Sequence, residues 1–345
     1  MDNGFDGRMK GVPEDDEGLD IAYLRKALQE SDSSEELHAP LWKTGDRYKK
    51  LYRHVIYCVP TFSNPSAKTM SLRRRQELIM LAREFDALVI TDDVYDVLRW
   101  PVDPDAKYDQ LSDVPPRLVD LDRTFDGGPK DGWGNAMSNG SFSKIIAPGV
   151  RVGWAEATPD FALALSQVGA TRSGGCPTHL AASFVHEMLE SGALENHLYT
   201  TVLPTFRSHY YALVKAIDEH LVPLGFKIST GKPYHETPTI LDGAQNGHHE
   251  SISQAGGYFM WILLPDDLAC RGALLAAIAL SRFDLKFAHG YMMQVQGDPA
   301  SAARSATGYG NGIRLCWAWH TADEIVEGIK RLASLVVDFR NSRRP

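Results

Sequence analysis

Cysteine is scarce in this sequence. Four cysteines occur in 345 residues, at Cys58, Cys176, Cys270 and Cys316. They lie far apart and show no metal-ligand spacing, so the sequence predicts no metal site. Scattered thiols in a chain of this size are typical of a protein in a reducing compartment.

An excess of positive charge is also absent. The chain has 36 Lys and Arg residues against 44 Asp and Glu residues, which gives a net charge of −8. Bulk binding to nucleic acid or to an anionic membrane surface therefore has no electrostatic support. Two short arginine clusters, at 73–75 and 340–344, are predicted to be solvated faces, with a local carboxylate as the alternative partner of the first cluster.

Long apolar runs are missing too. No segment approaches the roughly 20 apolar residues that cross a membrane. Residues 1–7 lack the charged and apolar regions of a signal peptide, so we expect a cytoplasmic protein. The 43% hydrophobic content is ordinary for a globular chain, and the length suggests about two domains.

Strand and helix patterns alternate through the first half of the chain. Helical spacing predicts a helix at 20–28 and a second helix that Ser71 caps, while the proline-rich segment 100–133 is predicted to be a surface excursion. Repeated strand–helix–strand order predicts an α/β domain with a mostly parallel sheet. The predicted strands lie at 7–13, 54–60, 87–91, 135–139 and 152–155.

Helices dominate after residue 158. One is predicted at 177–189 with Gly192 as its cap, and a longer one at 195–224 with a kink at Pro204. We place the domain boundary at that kink, which gives a large domain at 1–205 and a small one at 206–345. The small domain has predicted strands at 257–265 and 312–319, helices at 272–281 and after a Thr321–Glu324 capping box, and mobile loops at 242–256 and 296–312.

The stretch 138–154 places a lysine among small polar residues. Lys144 follows Ser141 in a Ser-x-Ser-Lys sequence, and Arg151 comes seven residues later. A lone amine in such a loop could form an imine with an aldehyde, and an arginine fork with nearby hydroxyls suits a phosphate. Taken alone, the Ser-x-Ser-Lys motif is more typical of a solvated loop.

Other chemically useful side chains lie in or at the ends of predicted strands, where open α/β sheets bind their ligands. Asn64 belongs to an Asn-Pro loop, Asp92 and Tyr95 follow the strand at 87–91, and Arg314 lies in the strand at 312–319. Each has a simpler interpretation when taken singly. The first two motifs are compatible with turns, and Arg314 with a surface ion pair on an edge strand.

Together these motifs resemble the class I and II aminotransferases, which are pyridoxal phosphate (PLP) enzymes of fold type I. The motifs occur in the family's order and with similar spacing, from about residue 7 to the C-terminus. Segments 59–65, 92–96 and 256–265 are most similar to the branch of 2-aminoadipate and aromatic aminotransferases. The resemblance implies an α/β fold with a mostly parallel, helix-flanked sheet and a smaller C-terminal α+β domain.

The resemblance also implies roles around the PLP ring. Lys144 would form the imine with the PLP aldehyde and then shuttle the proton between the substrate's Cα and C4′ of the cofactor. Asp92 would keep the ring nitrogen protonated, with Asp93 as the alternative if the strand register differs by one residue. Tyr95 and Asn64 would donate hydrogen bonds to the 3-oxygen of the ring.

Phosphate and substrate contacts follow from the same resemblance. Ser141 and Arg151 would bind the cofactor phosphate, and Arg314 would bind the α-carboxylate of the substrate. Aromatic residues near the site could indicate an apolar or aromatic substrate, but a role in a core strand explains them better. These residues are Tyr258, Phe259 and Trp261.

The sequence departs from the family at its beginning. Family members carry a substrate-covering arm, a first sheet strand with a Ser/Gly phosphate loop, and an aromatic residue that stacks on the PLP ring. None of these is recognisable here. We therefore expect a sheet without the N-terminal strands of the family, with unpaired strand edges and an uncovered apolar face.

The resemblance implies an aminotransferase that moves an amino group from an L-amino acid to a 2-oxo acid. It also implies a homodimer whose sites lie at the subunit interface. Two alternatives stay open: an inactive fragment that acts as an interaction or regulatory module, and a PLP-dependent lyase. The sequence does not identify the amino acid.

Overall fold

The structure is a computed structural model that describes residues 8–33, 48–108, 114–172, 178–229 and 253–342. The strands are β1 (Glu14–Asp15), β2 (Gly18–Leu19), β3 (His54–Cys58), β4 (Ala87–Asp92), β5 (Arg99–Pro101), β6 (Ala136–Ser141), β7 (Gly153–Glu156), β8 (Lys227–Ile228), β9 (Gln254–Gly256), β10 (Phe259–Leu263), β11 (Ala288–His289) and β12 (Gly312–Cys316). The helices are α1 (Ile21–Asp32), α2 (Leu72–Glu84), α3 (Leu118–Thr124), α4 (Pro159–Ser166), α5 (Gly169–Arg172), α6 (His179–Glu190), α7 (Ala193–His197), α8 (Leu203–His220), α9 (Gly272–Arg282), α10 (Pro299–Thr307) and α11 (Ala322–Asn341). Among these helices, none is long and apolar enough to cross a membrane.

The first sheet has the strand order β3-β4-β6-β7. The first three strands run parallel, and β7 pairs with β6 in the antiparallel direction. β4 is buried along nearly its whole length, as expected for a central strand covered by helices. Because the carboxyl ends of β3, β4 and β6 lie at one edge, the loop bearing Asn64, the end of β4 and the Lys144 turn meet there.

The edges of this sheet are open within the described residues. β3 and β7 each pair on one side only. On β3 the side chain of Ile56 points into the core, whereas Val55 and Tyr57 are 60% and 62% exposed. The described part of the chain therefore has the open strand edges and exposed apolar side chains that the sequence predicts.

The second sheet is antiparallel, with the order β11-β12-β10-β8. α8, α9 and α11 bury their apolar faces in the same core as β10 and β12. Tyr95 and Ile145, which follow β4 and β6 of the first sheet, and Trp100 of β5 belong to that core too. The candidate site is thus packed against both sheets. The division of the chain at residue 205 stays a prediction.

Two predictions about segments were wrong. Residues 8–13 form no strand: the N–H and C=O of Gly11 bind the side chains of Asp298 and Arg304 instead, at 2.8 and 2.6 Å. The predicted loop at 296–312 contains α10. Asp298 caps this helix and a proline occupies its first position, and both are helix-start signals.

Three further predictions need correction. The break in the long helix lies before Pro204, in a π-helical turn at Leu198–Val202, because proline is tolerated in the first turn of α8. Segment 100–133 is not wholly superficial, since Trp100 is fully buried and β5 pairs with β9. In the arginine cluster at 73–75, Arg74 and Arg75 are buried.

The other predicted elements are observed, with ends that shift by a few residues. Ser71 caps α2, and α11 begins with the complete Thr321–Glu324 capping box. The end of the second arginine cluster, Cys176 and most of the 242–256 loop lie outside the described residues.

Candidate active site

Lys144 lies in a short 3-10 turn that directly follows β6. The Ser141 hydroxyl accepts a hydrogen bond from the Ser143 amide at 3.1 Å and so caps this turn. Lys144 Nζ lies 5.1 Å from the centre of the Tyr258 ring, while the Tyr258 hydroxyl donates to the Lys144 carbonyl at 2.8 Å. One tyrosine therefore contacts both the amine and the main chain of the lysine.

Tyr258→Phe is expected to lower the free energy of unfolding by about 1–2 kcal/mol, because the Lys144 carbonyl loses its donor. Tyr309→Phe is the matched control, since it removes a hydroxyl that donates to the Ser301 carbonyl far from Lys144. Urea unfolding of both variants measures the effect. An unchanged unfolding free energy for Tyr258→Phe would contradict this role.

Asp92 ends β4, and both of its carboxylate oxygens accept hydrogen bonds from neighbouring strands. Tyr57 on β3 donates its hydroxyl at 3.2 Å, and Asn139 on β6 donates its amide at 2.8 Å. The register places Asn139 directly opposite Asp92. These two donors fix the position of the Asp92 carboxylate at the edge of the sheet where Lys144 also lies.

Asp93 lies in a different environment. Its carboxylate is buried and accepts hydrogen bonds from the hydroxyls of Thr91, at 2.5 Å, and Ser138, at 2.6 Å. Burial, followed by the charge of Asp96, raises the pKa of Asp93 above its ordinary value. Asp93 is thus a core residue that ties the end of β4 to β6, and the register favours Asp92 as the residue that faces the site.

The raised pKa of Asp93 predicts a pH effect on stability. Above the ordinary pKa of 3.8 the unfolded chain loses this proton before the folded chain does, so the contribution of Asp93 to stability falls until the pH passes the folded-state pKa. In Asp93→Asn the side chain does not titrate, so this pH-dependent contribution is absent. Measured by urea unfolding from about pH 4 to pH 7, the unfolding free energy should shift in favour of the variant as the pH rises. A difference that stays constant would contradict the raised pKa.

Asn64 and Arg314 meet although 250 residues separate them in the chain. Arg314 on β12 donates to the Asn64 side-chain oxygen at 2.6 Å, and its guanidinium lies 4.2 Å from the centre of the Phe259 ring. Stacking on an aromatic ring orients a guanidinium while its remaining N–H donors stay available. The pair is therefore arranged to bind an anionic group beside Asn64.

Tyr95 is buried between these groups. Its ring lies 5.6 Å from that of Tyr258 and 6.3 Å from that of Phe259. Burial and the negative charge of Asp92 raise the pKa of Tyr95 to about 12, and the positive charge of Arg314 opposes them. At neutral pH the phenol is a hydrogen-bond donor.

The predicted phosphate ligands are linked through Ser143. The Ser143 amide donates to the Ser141 hydroxyl, and its own hydroxyl accepts from Arg151 at 3.5 Å. Arg151 adopts a left-handed backbone conformation, with φ of 51°, and donates to the Pro148 carbonyl at 3.2 Å. Its side chain is exposed, so the guanidinium lies open to an incoming anion.

Sequence reasoning missed several contributors to the site. Tyr57 and Asn139 could be found only from the pairing of the strands that carry them. Cys316 could have been predicted from the sequence. It lies two residues after Arg314 in the same strand, and residues two apart in a strand lie on the same face of the sheet. Burial raises the pKa of the Cys316 thiol, although the charges of Arg314 and Lys144 oppose this. A neutral thiol therefore lies near both cations.

Comparison with known proteins identifies the family. A family model described as aminotransferase class I and II matches residues 7–232. The chain belongs to this family. An uncharacterised protein of Saccharomyces cerevisiae is 34% identical over 333 residues, which cover 95% of this chain and 67% of the yeast protein.

Two named enzymes are also similar to this aminotransferase chain. Aromatic-amino-acid aminotransferase 1 of Thermococcus litoralis is 27% identical, over 94% of this chain and 60% of the enzyme. The 2-aminoadipate transaminase of Thermus thermophilus is 25% identical, over 94% of this chain and 63% of the enzyme. The chain thus spans 60–67% of the length of these three relatives.

Solved aminotransferase structures confirm the predicted fold type I. The α-aminoadipate aminotransferase LysN from Thermus thermophilus matches with a TM-score of 0.61 and 25% identity, over 96% of this chain and 66% of LysN. The aromatic aminotransferase Aro9 from Candida albicans matches with a TM-score of 0.66 and 20% identity, over 96% of this chain and 64% of Aro9. LysN was solved with N-(5'-phosphopyridoxyl)-L-leucine.

The side chains of this aminotransferase chain fit PLP at its reactive end. Four groups lie at one edge of the first sheet: an amine, a carboxylate that accepts two hydrogen bonds, a phenol that keeps its proton, and an amide. This donor set is what an aldehyde, a ring nitrogen and a ring oxygen require. The residues are Lys144, Asp92, Tyr95 and Asn64.

Proposed function

We propose that this chain is a PLP-dependent aminotransferase that moves an amino group from an L-amino acid to a 2-oxo acid. The observation that carries the proposal is the meeting of Lys144, Asp92, Tyr95 and the Asn64–Arg314 pair at one sheet edge, in a chain of the aminotransferase family. Bound PLP supplies an aldehyde for the amine and a ring that withdraws electrons from the carbon being deprotonated.

Lys144 is the proposed base. Its Nζ would hold PLP through the aldehyde and, when free, would take the proton from the α-carbon of the substrate. Tyr258 supports this change of role, because its ring receives the ammonium group while its hydroxyl keeps the Lys144 main chain in place.

Asp92 is the proposed partner of the ring nitrogen. A carboxylate beside the ring nitrogen would favour its protonated form, and the hydrogen bonds from Tyr57 and Asn139 fix the orientation of the Asp92 side chain. Tyr95 and Asn64 donate to the 3-oxygen. These roles need the carboxylate charged and the phenol protonated, and the raised pKa of Tyr95 satisfies the second condition at neutral pH.

Arg314 is the proposed ligand of the substrate α-carboxylate, and Ser141 and Arg151 are the proposed ligands of the phosphate. Arg314 is oriented by Asn64 on one side and by the Phe259 ring on the other. A planar guanidinium held in this way can bind a carboxylate through two parallel hydrogen bonds.

Aromatic amino acids and 2-aminoadipate are the proposed amino donors. The named relatives act on these two substrate classes according to their names, and Phe259 places an aromatic surface beside Arg314. The test is a panel of L-amino acids with 2-oxoglutarate as acceptor, in which both the glutamate and the oxo acid formed are measured. Equal formation of the two products on aromatic or 2-aminoadipate donors is expected.

The comparisons do not favour a lyase or an inactive interaction module. The same panel distinguishes them. Oxo-acid formation without glutamate would indicate a lyase, and a folded, PLP-loaded protein that forms neither product would contradict the proposed function.

We also propose a homodimer in the cytoplasm, with the substrates as small-molecule partners. The apolar side chains of Leu180 and Phe184 on α6 are 70% and 64% exposed, which supports a second copy of the chain covering this helix. Sedimentation equilibrium tests the dimer. A monomer at all concentrations up to about 10 µM would contradict it.

A further inference from the structure

The loop that carries Asn64 is folded around a buried arginine. This loop, residues 60–70, connects the end of β3 to α2. Arg75 lies in the first turns of α2 and has no exposed surface. A fully buried guanidinium is rare unless its donors are satisfied, so its partners indicate what it does.

The guanidinium of Arg75 binds both ends of this loop. Its Nη2 donates to the Pro60 carbonyl at 3.1 Å and to the Thr61 hydroxyl at 2.9 Å, and its Nε donates to the Met70 carbonyl at 3.0 Å. Its Nη1 donates to the two carbonyls at 115–116, both at 3.1 Å. The two ends are also joined directly, since the Met70 amide donates to the Pro60 carbonyl at 2.7 Å, and Arg75 reinforces this closure through both residues.

Between those ends the loop has hydrogen bonds of its own, including those from the Ser63 amide to the Lys68 carbonyl at 2.8 Å and from the Ala67 amide to the Ser63 carbonyl at 2.7 Å. Phe62 and Ala67 have positive φ values of 47° and 60°, which non-glycine residues rarely adopt. Such a backbone persists only where its surroundings hold it. Asn64 lies exposed between these two residues, and its side chain is directed at Arg314.

We propose that Arg75 is a positioning residue that holds the 60–70 loop so that Asn64 meets Arg314. This inference rests on the proposed function, because that function gives Asn64 and Arg314 their roles. Arg75 is fully buried beneath the loop and would act through Asn64. A lysine in its place would keep the charge but lose the planar fork that reaches both loop ends at once.

The test compares Arg75→Lys with Arg83→Lys. Both arginines are buried on α2, but Arg83 binds Asp122 and the Phe125 carbonyl and makes no described hydrogen bond to the 60–70 loop. Hydrogen–deuterium exchange by mass spectrometry is measured on both proteins without substrate. Arg75→Lys is expected to speed exchange at residues 62–70 at least about tenfold, and Arg83→Lys to leave it unchanged.

Kinetics with and without Asn64→Ala separate positioning from general stability. Arg75→Lys should raise KM for the amino acid about tenfold and lower kcat by less than about threefold. In the Asn64→Ala background it should raise KM no further, because its effect passes through Asn64. Full additivity of the two changes, or an Arg75→Lys protein with unchanged loop exchange and KM, would overturn the proposal.

The proposed function and the positioning role of Arg75 can fail independently. If no variant and no wild-type protein transfers amino groups, the proposed function fails, while the exchange comparison still decides whether Arg75 holds the loop. If Arg75→Lys does not fold, Thr61→Val removes one loop partner of Arg75 without altering the buried charge. It should speed loop exchange and raise KM about two- to threefold, and the absence of both effects would overturn the inference.

Discussion

Lys144→Ala should lower kcat for amino-group transfer by roughly 10³–10⁴-fold, the largest effect expected of any single substitution in this chain. The variant loses both the amine that holds the cofactor aldehyde and the base that removes the α-proton. Because the hydrogen bond from Tyr258 goes to the Lys144 main chain, which alanine retains, the fold should persist. Steady-state assays with 2-oxoglutarate measure the loss.

Chemical rescue provides the control for this variant. A small free amine such as ethylamine can enter the space left by the side chain and take the proton from the substrate. We expect partial recovery that increases with amine concentration and with pH, because only the unprotonated amine is a base. Transfer by Lys144→Ala at the wild-type rate without added amine would contradict the role of Lys144.

Asp92→Asn should lower kcat by at least about 10²-fold, equivalent to roughly 3 kcal/mol, and weaken PLP binding at the same time. The amide has nearly the same shape, but it cannot stabilise a protonated ring nitrogen. The variant would also lose one hydrogen bond, because Tyr57 and Asn139 both donate to the carboxylate and the NH2 group of asparagine cannot accept. PLP affinity by equilibrium dialysis and kcat measure the two losses.

Asp93→Asn is the matched control, since the same change occurs one residue away in the same protein. Asp93 binds Thr91 and Ser138 inside the core and does not share the donors of Asp92. We expect altered stability with kcat within about threefold of wild type. A larger loss of kcat in Asp93→Asn than in Asp92→Asn would show that the register had been assigned to the wrong aspartate.

Much of the site could be predicted because its residues lie in short motifs that pattern and resemblance both mark. Lys144, Asp92 and Arg314 each follow or occupy an apolar strand that the sequence shows clearly. The partners of Asp92 could not be predicted in this way. Asn139 lies opposite Asp92 only because β4 and β6 pair in one particular register, and a single sequence does not state that register.

Buried charge was the second obstacle. Arg74 and Arg75 belong to a run of three arginines, which pattern reasoning assigns to solvent. Their burial depends on carbonyls and carboxylates supplied by distant segments: Arg74 binds Leu19 and Asp15, and Arg75 binds the ends of the 60–70 loop. A helical pattern describes which face is apolar, but not which distant backbone groups need a donor.

Local signals were missed where composition was given more weight than capping. The segment that forms α10 is rich in alanine and serine and resembled a mobile loop. Its Asp298–Pro299 start is nevertheless a normal helix beginning, and Asp298 also binds Gly11, which the sequence assigned to a strand. The segment at Gly11, in contrast, depends on a contact between residues 287 positions apart, which a local pattern does not show.

The absorbance spectrum of the purified protein tests the central claim most directly. Wild type and Lys144→Ala are incubated with PLP, freed of excess by gel filtration, and scanned before and after borohydride. We expect a visible band in the wild type alone, and borohydride should bleach it. Peptide mapping of the reduced protein should then find the cofactor attached to Lys144. A folded wild-type protein without this band, or a band of equal strength in Lys144→Ala, would contradict it.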